Sequence, residues 1–198
     1  MKLTPRTSLL ALLPALVAAV LLSACNGQTL HGGRLEPAKA AASIELTDYR
    51  GQPFSMAQQR NKVVLVFFGY TSCPDVCPTT LAHMAQVKRQ LGDAFEDVRV
   101  VFITVDPNRD TPDKLARYMT LFDSDFLGLT GSPTELRRVM NAYQVTAVRR
   151  ESAETAQYSI DHSAFTYVID KQGRLRELMT FGAPVAELVS DVHLLLQE

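Results

Sequence analysis

The chain has 198 residues, of which 46% are hydrophobic, and its formal net charge is −1. This length and apolar content fit one globular domain with a short appendage. A charge so close to zero gives no electrostatic footprint for nucleic acid, so we expect no nucleic acid among the partners.

The N-terminus has the pattern of an export signal. Lys2 and Arg6 precede an uncharged run over residues 7–22, and two small residues follow it. The run is shorter than the roughly 20 apolar residues that a membrane-spanning helix needs, and it contains a proline. The sequence therefore predicts a signal peptide at residues 1–24.

Residues 22–25, Leu-Ser-Ala-Cys, resemble the lipobox of bacterial lipoproteins, in which the signal is cut before a cysteine that then receives a lipid. This predicts a lipid anchor on Cys25, on the periplasmic face of a bacterial membrane. The polar, alanine-rich residues 25–42 are predicted to form a flexible tether that reaches roughly 20–25 Å. The folded domain is then expected at 43–198. The alternative is an ordinary secretory signal with a cysteine nearby.

Loss of the signal peptide changes the charge and the number of free cysteines. Removing Lys2 and Arg6 leaves 18 basic and 21 acidic residues, a net charge of −3. With Cys25 assigned to the lipid, one pair is left, Cys73 and Cys77. In an oxidising compartment such a pair tends to form a disulfide unless a reductant or a metal intervenes. The pair is therefore a candidate for redox activity or metal binding.

The pattern of apolar residues predicts alternating strands and helices. The predicted strands are 44–47, 63–68, 98–105, 126–129, 164–169 and 175–181, and a further short strand begins at Phe54. The predicted helices are 78–91, 112–122, 133–143 and a last helix from Pro184, with end signals at Gly92, Thr111 and Ser132. The charged residues 149–157 are predicted to form a surface loop. This order of elements predicts an α/β layer fold.

The two cysteines lie where a buried strand leads into a helix. Residues 63–68 are apolar and β-branched or aromatic, and Pro78 suits the first turn of a helix. Cys73 is thus predicted in the connecting loop and Cys77 at the start of the helix. Free N–H groups and the helix dipole favour a thiolate there and lower its pKa. Two such thiols on one turn can form a disulfide or hold a soft metal ion.

A metal interpretation favours copper over zinc. Structural zinc uses four ligands, commonly with a second cysteine pair, and this sequence has none. Two thiolates completed by one histidine suit Cu(I) or Cu(II). The four histidines are His31 in the tether, His83 six residues beyond Cys77, His162 before a strand, and His193 on the last helix. From spacing alone, His162 is either a ligand or an ordinary surface or core residue.

Other side chains near the cysteines have two interpretations each. Asp75 and Asp106 can supply an oxygen to Cu(II) or tune the pKa of a thiol. The simpler roles are a helix-dipole partner for Asp75 and loop-shaping hydrogen bonds for Asp106 and Asp110. Phe68 and Tyr70 are expected either in a docking surface or, as aromatic residues at the end of a strand, in the core.

Three segments resemble the Sco (SenC) family of copper chaperones for cytochrome c oxidase. They are FFGYTSCPDVCPTTL at 67–81, VDPNRDTP at 105–112 and DHSAFTYVID at 161–170. The likeness keeps the same order and spacing from residue 44 to the C-terminus. It implies a thioredoxin-like fold, with a central mixed sheet flanked by helices and an N-terminal strand extension.

The resemblance also implies a function. Its copper ligands carry over onto Cys73, Cys77 and His162, with one Cu(I) or Cu(II) per domain. It implies delivery of copper to the CuA centre of cytochrome c oxidase subunit II, and some members are credited with reducing the cysteines of that subunit. Other periplasmic copper chaperones or thiol reductants are the further partners expected. Because residues 149–157 are polar, His162 is expected to be mobile until copper binds.

An enzyme is the main alternative, a thiol–disulfide oxidoreductase with Cys73 as nucleophile and Cys77 as the resolving thiol. Such enzymes usually have two residues between the cysteines, a preceding Trp and a cis-proline opposite the pair. This chain has three intervening residues, no Trp, and Ser-Ala at 163–164. A peroxiredoxin-type peroxidase fits less well because Thr71 is one position too close to Cys73. A redox-sensing module that uses a reversible disulfide is also compatible. The sequence favours a metallochaperone over an enzyme.

Overall fold

The structure is a computed structural model that describes residues 29–151 and 158–198. The predicted signal peptide at 1–24 and the predicted lipid anchor Cys25 lie outside the described residues and stay predictions. Within the described ranges, no helix combines the length and the apolar character needed to cross a membrane.

An eight-stranded mixed sheet flanked by helices forms the centre of the domain. The strands are β1 (Gly33–Ala40), β2 (Glu45–Asp48), β3 (Pro53–Ser55), β4 (Val63–Gly69), β5 (Val98–Thr104), β6 (Leu127–Thr130), β7 (Ala147–Glu151), β8 (Tyr158–His162), β9 (Thr166–Ile169) and β10 (Arg174–Met179). The helices are α1 (Val76–Leu91), α2 (Pro112–Thr120), α3 (Pro133–Ala142) and α4 (Val185–Gln197). The strand order is β1-β10-β9-β4-β5-β6-β2-β3, and β7 and β8 form a separate two-stranded sheet. The predicted α/β architecture is confirmed.

The two central strands, β4 and β5, are parallel and buried. All seven residues of β4 are buried, and the pairing runs from Val63 opposite Val98 to Gly69 opposite Thr104. Strands that are covered on both faces appear in a sequence as continuous apolar runs, which is why both could be predicted. Because the strands are parallel, the loops that follow them leave from the same edge of the sheet.

Local sequence signals define the ends of the helices. The Thr111 side chain accepts a hydrogen bond from the backbone of α2, and Ser132 forms a capping box with Glu135 at the start of α3. Gly92, with φ of 56°, ends α1. This helix begins at Val76, two residues earlier than predicted, so the second cysteine lies inside its first turn.

The predicted tether at 25–42 is wrong for its C-terminal part. Strand β1 pairs antiparallel with β10, with Arg34 opposite Glu177 and Ala40 opposite Arg174. Six of the eight residues of β1 are exposed, so backbone hydrogen bonds to the sheet edge hold the strand rather than buried side chains. Such a strand leaves no apolar alternation in the sequence, and the prediction from periodicity failed for that reason.

The predicted loop at 149–157 is also partly wrong. Strands β7 and β8 pair antiparallel, with Ala147 opposite His162 and Glu151 opposite Tyr158. Every residue of β7 is exposed. The charged composition therefore indicated exposure correctly but concealed a strand, and residues 152–157 lie outside the described part of the chain.

Two buried carboxyl groups attach the segment before β1 to the domain. Asp191 on α4 accepts hydrogen bonds from the ring Nδ1 of His31 at 2.6 Å and from its backbone N–H at 3.0 Å. Glu177 on β10 accepts one from the backbone N–H of Gly32 at 3.0 Å, and its Oε1 has no partner among the described residues. Burial, then the charge of Asp191, raises the pKa of Glu177 to about 7. The hydrogen bond to Asp191 raises the pKa of His31.

We predict that Glu177→Gln stabilises the protein more at pH 8 than at pH 5. The pKa of Glu177 rises from 4.5 to about 7 on folding, so the unfolded carboxyl ionises first and the wild-type protein loses stability across that interval. The amide has no proton to lose. The expected difference in the free energy of unfolding is up to about 3 kcal/mol, measured by urea denaturation.

The matched control is Glu96→Gln, which changes an exposed carboxylate. An equal effect of Glu177→Gln at both pH values, or the same pH dependence in the control, would contradict this account of the buried carboxyl.

Candidate metal centre

Cys73, Cys77 and His162 converge beyond the carboxyl ends of β4 and β5. Cys73 lies in the loop after β4, Cys77 in the first turn of α1, and His162 is the last residue of β8. The two cysteine sulfurs and one ring nitrogen of His162 all lie within 4.8 Å of one another. The Sγ of Cys77 is 3.4 Å from Nε2 of His162. The structure thus brings together the three residues that the sequence predicted as a site.

The imidazole ring of His162 is oriented with Nε2 towards the sulfurs. Its Nδ1 lies 3.0 Å from the backbone carbonyl of Ser163, which can only accept a hydrogen bond, so Nδ1 carries the proton. In the neutral ring, Nε2 therefore keeps its lone pair, as in most metal-binding histidines. The ring packs edge-on against Phe67 and Tyr70, with centroid distances of 6.0 and 5.8 Å.

The two thiols differ in burial and in proton affinity. Cys77 is fully buried and Cys73 is partly exposed. The hydrogen bond from the Cys77 thiol lowers the pKa of Cys73, and two backbone N–H groups lower it further. The same contact, together with burial, raises the pKa of Cys77. These opposite shifts favour the thiolate at Cys73 and the thiol at Cys77.

Cys73 and Cys77 are reduced in the structure, with no disulfide between them. The reduced form is the one in which two sulfurs and an imidazole nitrogen can act as donors, which makes a soft donor set. In the described ranges this is the one cluster of three or more Cys, His, Asp or Glu side chains with the spacing of a metal site. A disulfide between Cys73 and Cys77 stays a prediction.

Gly69 is part of the site, although the sequence analysis did not single it out. A Cβ atom at this position would lie 2.7 Å from the Sγ of Cys77 and 2.8 Å from the ring of Phe102. Only glycine leaves room for the sulfur behind the end of β4. The available signal was a glycine at the end of a strand of bulky residues, which often marks a close approach.

The aspartates near the cysteines do not belong to the donor group. Asp75 is exposed at the N-terminal end of α1, which fits a helix-dipole partner. Asp106 and Asp110 are almost fully buried, and they accept hydrogen bonds from Tyr158 on β8 and from Thr71 in the loop after β4, respectively. The prediction of loop-shaping roles for these two residues is confirmed.

The remaining candidates also lie outside the donor group. Phe68 and Tyr70 are buried, so their core interpretation is confirmed and the docking-surface interpretation is wrong. His31 contacts Asp191, and His193 is exposed on α4. Neither of these histidines, nor His83, belongs to the donor cluster.

Comparison with known proteins gives this site a family context. A sequence model of the SCO1/SenC family matches residues 33–197. An SCO2-like protein of Rickettsia prowazekii is 42% identical over 137 residues, which cover 69% of this chain and 67% of that protein.

Solved structures with the same fold include two bacterial Sco proteins. Copper-bound ScoI of Bradyrhizobium japonicum is 35% identical, with a TM-score of 0.73 over 79% of this chain and 99% of that chain. Apo Sco1 of Thermus thermophilus is 37% identical, with a TM-score of 0.77 over 86% of this chain and 99% of that chain. The predicted thioredoxin-like fold is confirmed. Since the family match spans nearly all of the described residues, the chain belongs to the SCO1/SenC family.

Proposed function

We propose that this protein binds one copper ion through Cys73, Cys77 and His162 and delivers it to the CuA centre of cytochrome c oxidase subunit II. The observation that carries the proposal is the convergence of two sulfurs and one imidazole nitrogen within 4.8 Å. Soft sulfur donors select Cu(I), and the imidazole makes Cu(II) acceptable as well. The related ScoI of Bradyrhizobium japonicum has been solved with copper bound.

The unequal burial of the three donors suits transfer of copper as cargo. Cys77 lies at the bottom of the site, whereas Cys73 and His162 are partly exposed. A thiolate of a docked partner can therefore replace the outer donors first, while the buried sulfur holds the ion until last. Stepwise exchange of this kind avoids release of a free ion into solvent.

The proposal includes a location and further partners. A lipid on Cys25 would hold the domain on the periplasmic face of a bacterial membrane, next to a membrane-bound oxidase. Another periplasmic copper chaperone would supply the metal, and a thiol reductant would keep Cys73 and Cys77 reduced.

Thiol reduction is the second candidate function, and the partly exposed Cys73 thiolate favours it. In that reaction Cys73 attacks a partner disulfide and forms a mixed disulfide. Cys77 then displaces the partner, which leaves with both of its sulfurs reduced, and a Cys73–Cys77 disulfide remains. Two electrons pass to the partner, and the imidazole of His162 has no part in the exchange.

The first prediction of the copper proposal concerns stoichiometry. The reduced protein should bind one Cu(I) per chain in competition with a chromophoric chelator. Cys73→Ser and Cys77→Ser should each lower the affinity by roughly 100-fold or more, and His162→Ala by about 10-fold, because thiolates contribute more than imidazole to Cu(I) binding. His83→Ala, which changes a histidine on α1 outside the donor group, is the control. A wild-type protein without bound Cu(I) would refute the proposal.

A second prediction concerns the glycine behind the site. Gly69→Ala should lower Cu(I) affinity by roughly 10-fold because the added methyl group displaces the Sγ of Cys77 or the ring of Phe102. Gly33→Ala is the matched control, since its Cβ would meet nothing closer than a carbonyl oxygen at 3.4 Å. Chelator competition and thermal unfolding should be measured together. Equal affinities for both variants would mean that the sulfur position is not set by Gly69.

A third prediction separates copper delivery from thiol reduction. Deletion of the gene should lower cytochrome c oxidase activity under copper limitation, and the wild-type gene should restore it. A His162→Ala gene should fail to restore activity if copper is delivered, because one donor is missing. Full restoration by His162→Ala, together with failure of Cys73→Ser, would instead identify the protein as a thiol reductant.

A further inference from the structure

The loop between β5 and α2 contacts both segments that carry the candidate donors. We call residues 105–111 the bridging loop. Its two aspartates, Asp106 and Asp110, are 3% and 1% exposed, yet neither belongs to the donor cluster. Buried carboxylates are costly unless they are hydrogen-bonded, so the partners of these two groups indicate what the loop holds in place.

Asp110 holds the loop that carries Cys73. Its carboxylate accepts hydrogen bonds from the backbone N–H of Thr71 at 3.0 Å and from the hydroxyl of Thr71 at 2.6 Å. It also accepts one from the hydroxyl of Thr104, at the end of β5, at 2.7 Å. Thr71 lies two residues before Cys73, so these contacts fix the approach of the chain to the first cysteine.

Asp106 and Arg109 hold the strand that carries His162. The hydroxyl of Tyr158 donates to Asp106 at 2.7 Å, and a guanidinium N–H of Arg109 donates to the backbone carbonyl of Tyr158 at 2.8 Å. Arg109 also forms an ion pair with Asp106. Tyr158 is the first residue of β8 and His162 is the last. The contacts of Tyr158 therefore fix the end of the strand opposite to the candidate metal donor His162.

The ring of Tyr158 is fixed by stacking as well. The guanidinium carbons of Arg109 and Arg149 each lie 3.6 Å from its centroid. Two guanidinium groups cannot share one face at that distance, so the ring lies between them, one from the bridging loop and one from β7. Cation–π contacts of this kind add to the hydrogen bonds of the hydroxyl.

Contacts further along β8 complete the support. The N–H of Ile160 donates to the hydroxyl oxygen of Tyr70 at 3.3 Å. Beyond His162, Ser163 exchanges two hydrogen bonds of 3.0 Å with Thr146. These contacts hold both β8 and the residue after His162, and the expected mobility of His162 stays a prediction.

We propose that the bridging loop positions the two parts of the metal site separately. Through Asp110 it holds residues 70–75, the loop that carries Cys73. Through the contacts of Asp106 and Arg109 with Tyr158 it holds β8, the strand that carries His162. This inference rests on the proposed copper site and names positioning residues for it. The side chain of Tyr158 acts through the backbone of β8 on the position of the His162 ring. Loss of the Tyr158 contacts should therefore weaken the imidazole donor and leave the two sulfurs in place.

A double-mutant cycle tests this role in the copper-loaded protein. Tyr158→Leu should lower Cu(I) affinity by roughly 10-fold, and Tyr158→Phe, which keeps the stacked ring, should lower it less. In a His162→Ala background, Tyr158→Leu should cause no further loss, since the donor it positions is gone. Additive losses would overturn the proposal. Arg150→Ala, which breaks an exposed ion pair with Asp161 on the same two strands, is the control and should change nothing.

Hydrogen exchange in the metal-free protein gives a readout that does not depend on copper. Tyr158→Leu should raise amide exchange at residues 160–163 and leave residues 71–77 unchanged. Thr71→Val, which removes the hydroxyl bond to Asp110, should give the reverse pattern. Faster amide exchange in both segments in both variants would show that the two roles are not separate and would overturn the proposal. Absence of copper binding in the wild-type protein, with the two exchange patterns as expected, would refute the proposed function alone.

Discussion

The site depends on the parallel pairing of β4 and β5. Their register places Gly69 beside Thr104, and the N–H of Val105 donates to the carbonyl of Gly69 at 2.8 Å. The chain that leaves β4 towards Cys73 and the chain that leaves β5 towards Asp106 therefore start side by side. The hydrogen bonds between Asp110 and Thr71 connect these two chains directly beyond that pairing.

At this edge of the sheet, the three candidate donors differ in their exposure to solvent. The missing side chain of Gly69 leaves a space that the Sγ of Cys77 fills, so this sulfur is fully buried. Cys73, three residues before the helix begins, stays partly exposed and has the lower thiol pKa of the two. A soft ion held there would have one sheltered donor and two accessible ones. That asymmetry supports a cargo site over a structural one, in which all ligands are normally enclosed.

The sequence predicted those features that depend on local pattern. The buried runs of β4 and β5 and the helix start near Pro78 were visible, because burial on both faces and helix capping leave local signals. Strands β1, β7 and β8 were not visible, since β1 and β7 are mostly exposed, β8 has a single buried residue, and backbone pairing holds all three. His162 came from family resemblance, because a contact across 85 residues has no local signature.

The supporting contacts bear on the choice between copper delivery and thiol reduction. A dithiol reductant needs only a nucleophilic sulfur and a resolving sulfur. Here a buried aspartate, a guanidinium group and a stacked tyrosine all support the short strand that ends at His162. Buried polar groups of this kind contribute little net stability even when they are hydrogen-bonded, so their main effect here is to fix the strand that ends at His162. The arrangement is therefore better explained by a site in which the imidazole is a third donor.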